Sequence, residues 1–210
     1  MTTVKDGTKQ KVIDSAISLF NVQGYSGTSV RMICERANVN AALISYYFGS
    51  KKGLLEYLMI TFFEGYLQAL EQGAIIEGKE DVRASLLGSI EHVLYYQQEH
   101  HDVARFVHRE ITLDTMLVRE LMSTYLMKEK HIFYEILEKG MERKKFTNQP
   151  IDFIIIQIRG MMTLPFLHPQ YIREVHHLLP HDRYFIESYI QYVSVWIDNY
   201  LCDPKIPTLK

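Results

Sequence analysis

The chain has 210 residues, 47% of them apolar and 23% charged, with a net charge of −2, which suits a globular protein with a sizeable core and excludes an intrinsically disordered chain. No stretch approaches the roughly 18 uninterrupted apolar residues of a membrane span; the longest runs, such as Phe153 to Ile156, are far too short, so no membrane insertion is expected. Residues 1–53 carry seven Lys/Arg against three acids, a net +4 that leaves −6 for the remainder, and a basic head on an acidic body fits a protein that meets a polyanion at one end.

The N-terminus, Met1 to Lys11, is polar and charged, so no secretory signal is expected and the protein is placed in the cytoplasm. Residues 8–23 set Val12, Ile13, Ala16, Leu19 and Phe20 at helical spacing, and Gly24 follows as a stop. Thr28-Ser29 reads as an N-cap for a short helix over 29–36. A second short helix fits 40–47, and Ser50 caps a long one from 51 to about 76. A break rich in glycine and charge, Glu77 to Glu80, precedes a helix over about 81–98. Further helices fit about 102–110, 114–144, 150–167, 169–178 and 182–202, with Pro165, Pro169 and Pro180 expected to end or kink them. No β-alternation is present, and the fold class is all-α. Cys34 and Cys202 sit in apolar patterns and read as reduced core thiols.

Residues 28–48 have the composition of two short helices crossing at a tight turn. Val30, Ile33 and Cys34 face inward, small Ala37 permits close approach, Asn38 takes the left-handed turn position, Val39 plugs the corner and Asn40 caps the second helix. Ile44, Tyr47 and Phe48 return to the core. Asn40, Ala41, Ala42, Leu43, Ser45 and Tyr46 are left on or near the outer face that would enter a major groove, with Asn40 suited to a base edge and Leu43 or an alanine methyl to a thymine methyl. Thr28, Tyr46 and Lys51 are assigned to phosphates, with Ser29 and Arg31 beside them at the start of the first helix.

These residues resemble the TetR family signature: Leu19-Phe20, Gly24-Tyr25, Thr28-Ser29-Val30, then Tyr46-Tyr47-Phe48-Gly49-Ser50-Lys51 and Leu54-Leu55. The resemblance covers about residues 8–55. It departs from the family at Asn38, Ser45 and Tyr47, where many members have Gly, Tyr and His, which leaves individual phosphate contacts open. It implies a TetR-like architecture: a three-helix DNA-binding head over residues 1–53, and a helical dimerisation and regulatory body over 54–210. Double-stranded DNA is then the partner, bound at near-palindromes by a homodimer.

In the body, Arg105 to Ile111, Leu121 to Lys130 and Pro165 to Tyr171 resemble TetR-like proteins of spore-forming Firmicutes linked to chromosome capture and cell-division regulation at sporulation. That resemblance implies nucleoid association and a cell-division protein as partner, with Arg105, Arg109, Glu110, Arg119 and Glu120 as the candidate surface, against ordinary ion pairing among them as the default reading. A ligand-released repressor is the alternative, and a helical interaction module without DNA binding a third reading. The aromatic, Met-rich interior (Phe62, Tyr66, Tyr96, Phe106, Met122, Phe133 and Met162 among others) suits either a small-molecule effector pocket, as the family implies, or a filled core.

The wide apolar face of the last helix (Phe185, Tyr189, Tyr192, Val193, Trp196, Tyr200), with Phe153, Ile156 and Met161 upstream, resembles the family's four-helix dimer seam. All nine histidines lie beyond residue 91, and the adjacent pairs His100-His101 and His176-His177 chelate poorly, so no metal is expected. No nucleophile–base pairing or phosphate-binding glycine loop is recognisable, so neither an enzyme nor a cofactor is expected.

Overall fold

Helical periodicity becomes helix along the chain in a computed structural model, which describes residues 2–75 and 81–202. Among these residues there is no strand, and no single helix is long and apolar enough to cross a membrane. The break expected at Glu77 to Glu80 lies outside the described residues. The chain divides into two compact units, Met1–Phe63 with Asp102–Leu121, and Glu64–His101 with Met122–Lys210. The first therefore runs beyond the expected boundary after residue 53.

In the first unit, α1 (Thr2–Gly27) buries Val12, Ala16 and Phe20, the i, i+4, i+8 stripe of one helix face. Gly24 interrupts it at φ 79°, ψ 164°, a conformation that glycine reaches without a Cβ penalty. The predicted stop is thus a kink followed by one further turn. Two short helices, α2 (Val30–Ala37) and α3 (Ala42–Phe48), lead into α4 (Lys51–Ala74).

The unit is completed by α6 (His101–Thr112), which follows α5 (Val82–Glu99), and by the start of α7 (Met116–Glu142). Phe106 of α6 stacks on Phe20 with ring centroids 4.9 Å apart, and Phe62 meets His108 edge-on at 5.9 Å. This packing corrects the expected partner surface. Glu110 is buried, and the Arg109 guanidinium donates to the carbonyls of Phe20 and Asn21. Arg105 is half-buried. Arg119 and Glu120 are exposed, Arg119 pairing with Asp114 at 3.1 Å.

The second unit holds the rest of α4, α5 and α7, followed by α8 (Ile151–Leu167), α9 (Pro169–His176), α10 (Arg183–Trp196) and a π-helical turn, Ile197–Cys202. Asp81 caps α5, its carboxylate accepting from the backbone of Arg83 and Ala84. Gly73 of α4 lies against the backbone of Gly88 and Ser89 of α5, where any Cβ would overlap. Inside this unit, Glu129 accepts from the Tyr66 hydroxyl at 2.6 Å and pairs with Arg159. Burial pushes the Glu129 carboxyl up, against the opposing pull of Arg159.

The helix expected over about 150–167 forms as α8 and runs through Pro165. Proline offers no N–H to the carbonyl four residues back, and that carbonyl, on Met161, accepts instead from the Tyr189 hydroxyl at 2.9 Å. The helix runs on to Leu167 because α10 supplies the missing donor.

Candidate DNA interface

The reading pair is built by local side-chain bonds. Ser29 is extended (φ −101°, ψ 157°), and its hydroxyl accepts from the backbone of Met32 at 3.2 Å, starting α2. Asn38 stops α2 in the left-handed region (φ 53°, ψ 53°), where its short polar side chain is tolerated. Two residues on, Asn40 Oδ1 accepts from the backbone of Ala42 at 2.8 Å and starts α3. Ile33 and Ile44 are fully buried, while Val30, Tyr47 and Phe48 are half-buried. Burial pushes the Cys34 thiol up, keeping it protonated between them.

Behind the pair lies a clamp. The Lys51 ammonium donates to the carbonyls of Tyr25 at 3.0 Å and Thr28 at 2.8 Å, and it stands 4.2 Å from the centroid of the Tyr25 ring. Burial pushes the Tyr25 phenol up, with Glu110 and Glu56 adding to the effect, so the ring beneath the cation stays neutral. Lys9 likewise sits 4.1 Å above the Tyr57 ring.

The predicted contact residues separate into three groups. Asn40, Ala41, Ala42, Ser45 and Tyr46 form one exposed strip, Tyr46 at 68% of its full accessibility. Tyr46 is thus the free member of the tyrosine pair, and Leu43 is half-buried beside it. Ser29 and Arg31 are exposed at the start of α2, Arg31 pairing with Glu35 at 2.7 Å. Such an exposed pair contributes little and exchanges readily for another anion. Lys51 is half-buried with two of its three protons engaged.

Thr28 requires a correction. It is only 1% exposed, and its hydroxyl donates to the Gly24 carbonyl at 2.8 Å. Its proton therefore stabilises the kink and is not available to a phosphate. Residue patterns left Tyr25 and Lys9 without a role, and they placed Arg109 in a partner surface instead of on the end of α1. The Gly24-Tyr25 pair was visible as a motif, but a cation–ring stack or a carbonyl tie between distant segments has no local signature.

The expected dimer residues also divide. Phe153 and Ile156 on α8 and Tyr192 on α10 are largely exposed. Met161, Tyr189, Trp196 and Tyr200 are half-buried, and Trp196 stacks on Tyr200 at 5.1 Å. Phe185 at 8% exposure and Val193 at 2% belong to the protomer's own core, because the wide apolar face of α10 wraps onto its own unit as well as outward. Leu164, Tyr184 and Val195, which were not singled out, are exposed.

Two short helices with side-chain caps, turned at a left-handed Asn and showing solvent a strip of small and polar groups, define a helix-turn-helix DNA-binding head joined to a helical body. Residues 12–58 match the bacterial regulatory proteins of the tetR family. Over 194 residues the chain is 45% identical to YttP of Bacillus subtilis strain 168, described as a probable HTH-type transcriptional regulator, covering 92% of this chain and 94% of YttP. The chain belongs to the TetR family of bacterial transcriptional regulators.

IcaR of Staphylococcus aureus strain Newman, a negative regulator of the biofilm operon icaADBC, is 44% identical over 56 residues, which cover 27% of this chain and 30% of IcaR. Among solved structures, the TetR family regulator PfmR of Thermus thermophilus shares the fold, with a TM-score of 0.74 at 18% identity over 90% of this chain and 97% of PfmR.

Proposed function

We propose that the protein is a dimeric, sequence-specific regulator that reads near-palindromic double-stranded DNA with α3 of each protomer. The exposed strip Asn40, Ala41, Ala42, Ser45 and Tyr46 carries this reading. The Asn40 oxygen serves as the helix cap, leaving its amide N–H groups for a base acceptor. Ala41 and Ala42 let the helix approach closely and offer methyls to thymine. Tyr46, Ser29, Arg31 and the remaining Lys51 proton face the phosphates, which position the head without reading sequence. A two-fold pairing through Phe153, Ile156 and Tyr192 presents two reading helices.

Two versions of the role differ in where the sites lie. A RefZ-like protein would mark chromosome positions and act on cell division at sporulation through a protein partner, as a cytoplasmic, nucleoid-bound dimer. A ligand-released repressor would sit in promoters and answer to a small-molecule effector. Genome-wide mapping of bound sites, with Asn40→Ala and Tyr46→Ala as controls, separates them. A few palindromes inside promoters support the repressor; sites scattered near the replication origin outside promoters support the RefZ-like role. Asn40→Ala should alter sequence preference by roughly 1–3 kcal/mol per lost base contact, and Tyr46→Ala should weaken all sites alike. If neither variant loses sites, α3 is not the reading element.

A further inference from the structure

We propose that Arg109, together with Asn21, is a positioning residue for DNA binding: it holds the turn of α1 before the Gly24 kink so that the starts of α2 and α4 meet the phosphates, without itself touching DNA. This rests on the DNA-binding reading above. Phe20 and Asn21 lie in the turn before the Gly24 kink. The Arg109 guanidinium donates to both carbonyls, one nitrogen to each, a two-point hold suited to its planar fork. Asn21 returns the tie, its amide donating to the Asp102 carbonyl at 2.8 Å, and Phe106 stacks on Phe20 between them. One face of α6 thus grips a single turn of α1.

The residues just beyond that turn build the DNA-facing surface. The Gly24 carbonyl accepts from Thr28, the Tyr25 and Thr28 carbonyls accept from Lys51, and Ser29 caps α2. A Cβ placed on Gly24 would meet nothing within 4 Å. The direction in which the chain leaves α1 is therefore held by the bonds around Gly24: Arg109 and Asn21 upstream, Thr28 on the Gly24 carbonyl and Lys51 downstream.

The test uses the full-length protein, titrated at several salt concentrations onto a mapped site and onto a mixed-sequence duplex. Arg109→Gln and Asn21→Ala should each lose roughly tenfold in affinity on both duplexes, the equivalent of one charge-assisted hydrogen bond. The salt dependence should keep its wild-type slope, because no phosphate contact has been removed. Arg109→Lys should recover part of the loss. Should Arg109→Gln fail to fold, Asn21→Ala and Arg109→Lys are compared with wild type instead. Wild-type affinity in the variants overturns the proposal. So does a salt slope reduced by about one, which would put Arg109 on a phosphate, and so does a loss that only tracks the unfolded fraction in a thermal melt. Wild-type protein that binds neither duplex at low salt overturns the DNA-binding reading itself, a result distinct from any difference between variants.

Discussion

The ammonium of Lys51 joins the start of α4 to the turn that ends α1 and to the residue before the α2 cap. A hydrogen bond to a charged group contributes about 1.5–3 kcal/mol, so this one side chain fixes three helix ends relative to one another. Glu110 is the opposite case, a buried carboxylate beside Arg109 whose pKa is raised above 4.5 by burial, with the Arg109 charge pulling it down. An acid whose folded pKa is raised contributes stability below its unfolded value and loses that contribution as pH rises through the folded one. Glu110→Gln, which removes the titration, should therefore melt higher than wild type at neutral pH, and the gain should vanish below about pH 4.5. A gain that stays constant with pH would show that Glu110 is not held back from ionising.

At the scale of elements, the continuity of α8 depends on a donor from another helix. Tyr189→Phe should cost about 1–3 kcal/mol by leaving the half-buried Met161 carbonyl without this donor. Adding Pro165→Ala, which restores a backbone N–H at that point, should recover most of the loss in a denaturant titration. Additive effects of the two substitutions would mean that the hydroxyl does not substitute for the missing helical bond. The cap-and-turn elements of the head depend on nothing so remote. Ser29, Asn38 and Asn40 act on backbone groups within four residues, and each was recognisable from residue type and order. Arg109, Glu110, Phe185 and Val193 were not. A helical wheel shows how wide an apolar face is or where a charge lies, but not which neighbouring helix covers it.

For the whole molecule, α8 and α10 leave apolar groups uncovered: Phe153, Ile156, Leu164, Tyr184, Tyr192 and Val195 are all exposed. Burying such side chains contributes about 25 cal/mol per Å² of apolar surface, and a two-fold dimer buries each patch against its own copy. Ile156→Asp combined with Tyr192→Asp should yield monomers in analytical ultracentrifugation that remain helical but bind a palindrome no better than a half-site. A dimer that survives both substitutions would move the seam elsewhere. The all-α class, the helix order, the break at Gly24 and the capped helix pair were determined by sequence alone, because helical period, caps and turns are interactions among residues a few positions apart. Tertiary structure alone decided that α6 belongs with the head, that Arg109 holds α1 and that Phe185 and Val193 are core. Those outcomes depend on which distant segments come together, such as Asn21 with Asp102, 81 residues further along the chain, and such pairings follow from the packing of whole helices and leave no periodic trace in the residues that make them.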